Sequence, residues 1–188
     1  IPKSTKVVVI GGGVVGCSVA YHLAKFGWKD TILLERDQLT SGTTWHAGGL
    51  VSQLWPSAAI TKIRKYSLDL YKELEKKIDH SAGLRLNGAL SIAQNKERWQ
   101  ELLRQATTAQ LYDVDVRILN KDQIKKDYPI INTDEILGGI FMPGDGAADP
   151  SGVTYMLAKA AKKENAQIVE KTPVDEMLTK KGKIAGVK

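Results

Sequence analysis

The apolar positions of the chain change their period in a definite order. Residues 6–10 (KVVVI) form a short β-branched run, and Val15, Val19, Leu23 and Phe26 then recur at spacings of three and four. The first pattern predicts a buried strand. The second predicts an amphipathic helix with that stripe as its apolar face, closed by Gly27 in a left-handed cap. Residues 31–35 (TILLE) return to strand character and end in an acid, so the opening unit reads β-α-β.

Further along, Ile60, Ile63, Leu70, Leu74 and Ile78 mark a helix over residues 58–78 with Ser57 before it as cap. Residues 84–93, interrupted by Asn87-Gly88, predict a strand pair or a kinked strand. Trp99, Leu102, Leu103 and Ala106 place a helix over 96–112, followed by a strand at 114–118 and a short capped helix over 120–127 stopped by Pro129. A strand at 136–142 leads to a loop running from Asp145-Gly146 to Asp149-Pro150. A helix over 151–164, a strand at 167–171 and a hairpin turning at Lys181-Gly182 complete the pattern. The fold class is α/β: a Rossmann-like domain from residues 1–55 and 143–188, with an inserted α+β segment over 56–142.

Composition narrows the function classes. The 188 residues are 43% apolar and 26% charged, the profile of a globular chain, and no window approaches the roughly 20 apolar residues that span a bilayer. The formal charge of +6 is spread over pairs such as Lys76-Lys77 and Lys162-Lys163, which reads as solvated surface and not as a nucleic-acid footprint. Residues 1–6 run directly into the first strand with no signal-peptide pattern, so any targeting peptide is expected to be removed or never present. Cys17 is the single cysteine, which excludes an internal disulfide and fits a reducing compartment; helix packing is its expected role. His22 reads as a helical residue and His80 as a surface or capping residue. The histidines and Cys17 have no metal-ligand spacing. Asp145 and Asp149 could pass for an acid–base pair, but the neighbouring glycines and proline favour turn chemistry.

The turn between the first strand and helix carries the chemistry. In Gly11-Gly12-Gly13-Val14-Val15-Gly16, Gly11 allows the sharp turn, Gly13 lets the backbone approach a pyrophosphate, and Gly16 lets the helix pack close to the strand. The phosphates would rest on the helix N-terminus around Val14 and Val15. Glu35, nineteen residues past Gly16, is placed to accept hydrogen bonds from ribose hydroxyls and to repel a 2′-phosphate. The residues thus point to a dinucleotide, and on their own leave FAD and NAD both open.

Leu33-Leu34-Glu35-Arg36, followed by Leu39-Thr40-Ser41-Gly42-Thr43-Thr44-Trp45-His46-Ala47-Gly48-Gly49-Leu50, resembles the FAD segment of the sarcosine and dimethylglycine dehydrogenases, amine-oxidising flavoenzymes of the D-amino-acid-oxidase type. The likeness returns at Met142-Pro143-Gly144-Asp145-Gly146 and Asp149-Pro150-Ser151-Gly152, and the order and spacing of these segments resemble sarcosine dehydrogenase most. One position departs: Gly48 stands where the family commonly has alanine. The resemblance implies FAD as cofactor, joined covalently through His46 to the flavin 8α carbon. Arg36 and the loop residues Gly42, Thr43, Thr44, Ala47, Gly48 and Gly49 would wrap the cofactor, Trp45 and Leu50 would supply apolar wall, and Val174 would present its backbone to the adenine. An imidazole nitrogen held against an activated methyl group is a plausible nucleophile.

The activity so implied is oxidative demethylation of a small N-methyl amino acid, sarcosine first and dimethylglycine next. Electrons would pass to an electron-transfer flavoprotein or to oxygen, in the mitochondrial matrix of a eukaryote or the cytoplasm of a bacterium. Flavoproteins of this type continue beyond the equivalent of Lys188 with another strand and a glycine-rich helix start. The resemblance therefore implies a chain truncated at its C-terminus and inactive alone, with the catalytic groups and a tetrahydrofolate-binding portion downstream. Two alternatives stand beside this. The regulatory subunit of pyruvate dehydrogenase phosphatase, a non-catalytic relative, shares the glycine turn and the Gly27-Trp28-Lys29-Asp30 segment but lacks the histidine. An ordinary noncovalent FAD or NAD oxidoreductase would leave Trp45 and His46 incidental.

Overall fold

The computed structural model describes residues 1–28 and 30–188; Lys29, within the Gly27-Trp28-Lys29-Asp30 segment, lies outside the described residues. In chain order the elements are β1 (Val7–Ile10), α1 (Val14–Lys25), β2 (Thr31–Leu34), a 3-10 turn (Thr44–His46), β3 (Leu50–Val51), α2 (Ala58–Lys77), β4 (Ala89–Ala93), α3 (Lys96–Gln110), β5 (Arg117–Leu119), α4 (Lys121–Asp127), β6 (Gly138–Met142), β7 (Gly146–Ala147), α5 (Pro150–Lys163), β8 (Gln167–Val169), β9 (Met177–Lys180) and β10 (Lys183–Val187). They divide into two compact units. One comprises Ile1–Gly49, Glu73–Gly83 and Asp149–Lys188, the other Leu50–Lys72 and Leu84–Ala148.

The first unit is built on a parallel sheet of order β1-β2-β8, with Val9 opposite Leu33 and Leu33 opposite Ile168. Every residue of β2 is buried, as expected of a central parallel strand covered on both faces. Helices α1 and α5 pack on one another, and each also touches the sheet. Asp149 caps α5 by accepting from the Ser151 amide at 3.0 Å, and Pro150 opens the helix, a position where its missing N–H costs nothing. Turn chemistry is therefore the right account of Asp149. Gly27 ends α1 at φ +92°, in the expected left-handed cap.

The buried face of α1 differs from the expected one. Cys17, Ala20, Tyr21 and Ala24 are buried, whereas Val15 and Phe26 are each 74% exposed and Val19 is exposed as well. Helix α5 packs on α1, and the side of α1 that is buried carries two alanines, Cys17 and Tyr21. Its larger apolar stripe turns away. Cys17 is wholly buried, as a packing residue should be; burial first, and the charges of Glu35 and Glu170 second, push its thiol pKa up to about 12. His80, expected as a surface or capping residue, is half-buried with its ring 6.0 Å from that of Tyr155.

The second unit holds an antiparallel sheet of order β4-β6-β5, in which Ile140 lies opposite both Ser91 and Ile118. Helix α3 packs on it, and Ala93, Leu102, Ala106, Ala109, Val114, Ile140 and Met142 form the core. Residues 84–93 are a kinked strand: Gly88 at φ +85° separates an Arg85–Ala147 bridge from β4. The strand expected at 114–118 begins later, at Arg117, because Val114 is drawn into the core as a loop residue. Asn120 and Gln123 form a reciprocal capping box that starts α4.

On α2, Leu70, Leu74 and Ile78 are buried as the periodicity predicts, but Ile60 and Ile63 are exposed and Thr61 and Leu68 take their place. Thr61 can be buried because its hydroxyl accepts from the Trp55 amide at 3.0 Å and donates to the Trp55 carbonyl at 2.9 Å. Ser57 stands just ahead of α2, its carbonyl accepting from the Thr61 amide.

Candidate cofactor site

The glycine turn of the first unit is held from three directions. Gly11 adopts φ +103° and its amide donates to the Leu34 carbonyl at 2.8 Å, which fits the sharp turn expected of it. The Gly12 amide donates to Oε2 of Glu35 at 2.5 Å, and Oε1 of the same carboxylate accepts from the Asp37 amide at 2.8 Å. A Cβ at Gly12 would lie 2.6 Å from Leu39 Cδ2 and 2.9 Å from Glu35 Cβ. Gly12 is thus as constrained as the motif glycines beside it, although the motif leaves its position open.

Two glycines carry constraints beyond the roles assigned on spacing. A Cβ at Gly16 would sit 1.9 Å from the carbonyl oxygen of Gly11 and only 3.6 Å from Leu33 Cδ1, so Gly16 first lets the turn close on itself and only then lets the helix approach the strand. At Gly13 the nearest atom is Thr44 Oγ1, 2.9 Å from a built Cβ, and that hydroxyl accepts from the Val14 amide at 3.1 Å. Thr44 therefore caps α1 from a distant loop. Gly13 itself provides no side-chain cap, and no acidic side chain occupies the first turn of α1, so the positive end of the helix faces the site without local neutralisation.

The strand ends converge on the same place. Glu35 is linked through its amide to the Val169 carbonyl and through its carbonyl to the Thr172 amide, while Glu170 accepts from the Leu39 amide at 2.7 Å and Lys171 donates to the Asp37 carbonyl. These bonds carry the residues after β8 alongside the exit of β2. The result is a groove of about 1040 Å³ lined by the glycine turn, the end of β2 and residues 172–175.

Of the expected site residues, Gly11, Gly13, Val14, Val15, Gly16, Glu35, Arg36, Gly42, Thr43, Thr44, Ala47 and Val174 all line this groove. Trp45, His46, Gly48, Gly49 and Leu50 do not. Trp45 and His46 are exposed on the 3-10 turn with their rings stacked at 3.8 Å between centroids and 32° between planes, and this turn packs against α5. Leu50 belongs to the second unit and is 86% exposed, so neither it nor Trp45 forms a wall of the groove. Gly49 has φ +70° and needs its glycine. A Cβ at Gly48 meets nothing within 4 Å, so alanine would fit there.

The groove also includes Gly12, Asp37, Thr172, Pro173 and Asp175, which the motif did not identify. Only the glycine run around Gly12 carried a local signal. Asp37 follows directly from the end of β2, and Thr172, Pro173 and Asp175 arrive through pairing of β8 with β2, which no short-range pattern announces. Among the described residues, no group of three or more His, Cys, Asp or Glu could hold a metal ion, and no helix is long and apolar enough to cross a membrane.

A dinucleotide suits this arrangement on the donor set alone. Backbone amides and a helix N-terminus with no acidic side chain in its first turn are offered at one end for phosphate, and a carboxylate with spare lone pairs lies beside them for hydroxyl groups. Peptide backbone and apolar side chains of residues 172–175 stand at the remaining wall.

Comparison with known proteins agrees. The chain is 41% identical over 175 residues to human mitochondrial sarcosine dehydrogenase, covering 93% of this chain and 19% of that protein. It is 38% identical over 170 residues to rat mitochondrial dimethylglycine dehydrogenase, covering 90% and 20%. It therefore spans about a fifth of the length of these relatives. An L-proline dehydrogenase from P. horikoshii superposes with a TM-score of 0.91 at 28% identity, over 100% of this chain and 50% of that one. Residues 6–188 match the family model described as FAD dependent oxidoreductase. With the glycine turn, the Glu35 carboxylate and the groove all falling inside the matched residues, the chain belongs to the FAD-dependent oxidoreductase family.

Proposed function

We propose that the groove holds FAD and that the polypeptide containing this chain oxidises a small N-methyl amino acid, sarcosine first and dimethylglycine next. The observation that carries the reading is the coincidence of an open dinucleotide groove with 41% identity to a sarcosine dehydrogenase across 93% of the chain. In this reading residues 1–55 and 143–188 serve the cofactor and residues 56–142 form part of the substrate domain.

Each residue has a stated task. The amides of the Gly11–Gly16 turn and the first turn of α1 hold the pyrophosphate, Glu35 accepts from ribose, Arg36 and residues 42–44 border the cofactor, and Val174 offers backbone to the adenine. His46 supplies the nitrogen for a covalent bond to the 8α carbon. Its exposure on a turn tethered by Thr44 to the start of α1 supports that role, since the ring is accessible while its backbone is fixed. FAD, when bound, supplies acceptance of two electrons from the substrate C–H bond; the protein orients the amine and excludes competing reactions. The electron acceptor is an electron-transfer flavoprotein or oxygen, a downstream portion takes the one-carbon unit on tetrahydrofolate, and the site of action is the mitochondrial matrix in a eukaryote or the cytoplasm in a bacterium.

The test is to express the full polypeptide and supply sarcosine and dimethylglycine separately, measuring formaldehyde release and flavin reduction. Reduction by sarcosine at a higher kcat/KM than by dimethylglycine is expected. A flavin-loaded protein that neither amine reduces would sink the reading.

A further inference from the structure

A second cleft, of about 660 Å³, is lined wholly by residues of the second unit, and its volume falls in the range of small-molecule sites. Its chemistry is set by Arg64. The guanidinium lies over the Trp55 ring, 4.2 Å from the centroid, and Nη1 donates to Ser52 Oγ at 2.6 Å and to the Leu54 carbonyl at 3.3 Å. The Nε–H and the Nη2 group make no hydrogen bond among the described residues. A guanidinium fixed on one edge and bare on the other is already arranged for two parallel bonds to a carboxylate, so little side-chain freedom remains to be lost on binding.

Two further features define what accompanies that carboxylate. Arg98 in the lining is neutralised by Glu101 at 2.8 Å, whereas Arg104 forms no ion pair among the described residues, so the cleft keeps an excess of positive charge. Asp145, also in the lining, is 0% exposed. Its Oδ1 accepts from the Gln53 amide at 3.0 Å and from Gln53 Nε2 at 3.2 Å, but Oδ2 has no partner. A buried carboxylate with an unmatched oxygen is costly to the fold and calls for an explanation. Burial raises the pKa of this carboxyl and the Arg64 charge offsets only part of that, so a further cation on that side of the cleft is favoured.

We propose that this cleft binds a small zwitterionic amino acid, its carboxylate on the free edge of Arg64 and its ammonium on the side of Asp145. The amine-oxidation reading supplies the probe, and the inference rests on that reading to this extent.

The experiment uses the full polypeptide with its flavin kept reduced under anaerobic conditions, so that nothing is oxidised, and measures labelled sarcosine by equilibrium dialysis. Acetate and methylammonium serve as half-ligand competitors. Arg64→Gln is expected to weaken sarcosine binding by about tenfold or more, the scale of one charge-assisted bidentate contact. It should also abolish competition by acetate while methylammonium still competes. Arg64→Lys should recover part of the affinity. Asp145→Asn, which keeps the side-chain shape, should abolish competition by methylammonium and leave that by acetate. Equal affinities in all variants, or loss of both competitors in any one of them, overturns the proposal. Sarcosine oxidation with an unchanged KM in Arg64→Gln overturns the cleft and keeps the enzyme. Dialysis binding that shows the full pattern of competition, in a protein that oxidises neither amine, supports the cleft and refutes the enzyme.

Discussion

The Gly12 amide donates to Oε2 of Glu35 at 2.5 Å while Oε1 holds the Asp37 amide, so one carboxylate, 9% exposed, joins the glycine turn to the exit of β2. Each carboxylate oxygen keeps a lone pair for a further donor, so this structural work is compatible with ribose recognition. Glu35→Ala removes both roles at once. It is expected to destabilise the flavin-free protein by roughly 1 to 3 kcal/mol, the cost of leaving buried amides unsatisfied, and to slow flavin incorporation more than it slows amine oxidation by molecules already loaded. Thermal unfolding and the time course of incorporation check this. Normal values for both, with slowed oxidation, would count against the assignment.

Gly16→Ala and Gly48→Ala form a matched pair. At Gly16 the new methyl would lie 1.9 Å from a backbone carbonyl that cannot swing aside, whereas at Gly48 it meets open space. The first should cost roughly 1 to 3 kcal/mol of stability and most of the flavin binding, the second no more than about 0.5 kcal/mol. Denaturant titration of the two variants decides it; equal stabilities would show the turn to be looser than described.

Covalent attachment through His46 predicts that flavin stays with the chain after acid precipitation of the full polypeptide and is lost in His46→Ala. Fluorescence of the washed precipitate reads this directly. Quantitative release of flavin from the unmutated protein removes His46 from the site.

Cys17 has its thiol pKa pushed up to about 12 from an ordinary 9.0, burial being the largest cause. The folded state therefore holds this proton more tightly than the unfolded state. The associated stability is fully present below pH 9, and it is lost as the pH rises from there toward 12. Cys17→Ala should show a shallower loss of stability over that window than the unmutated protein. The thiol should also resist a disulfide reagent at neutral pH until denaturant is added. Rapid labelling of the native protein would contradict its burial.

Much of the cofactor site was readable because its signals are short. Gly11 takes the positive φ that its turn requires, Val14 and Val15 open the helix beside it, and Glu35 sits at a characteristic distance from the turn. Arg64 and Asp145 had no such signal. An arginine on a helix and an aspartate in a glycine-rich loop look solvated until the fold stacks one on Trp55 and buries the other beneath Gln53.

The sequence by itself determined the β-α-β opening, the dinucleotide turn and the family, because each depends on backbone conformation and spacing within a few dozen residues. Only the tertiary structure decided which face of α1 is buried. Val15, Val19 and Phe26 make the stronger apolar stripe, yet Cys17, Ala20, Tyr21 and Ala24 are the buried residues of this helix, on which α5 packs, while Val15 and Val19 line the groove. It decided in the same way that Glu35, carried beside the turn by the pairing of β2 with β1, serves the Gly12 amide, and that Thr172 and Val174 reach the groove through the parallel pairing of β8 with β2, a contact over more than a hundred positions that no periodicity records.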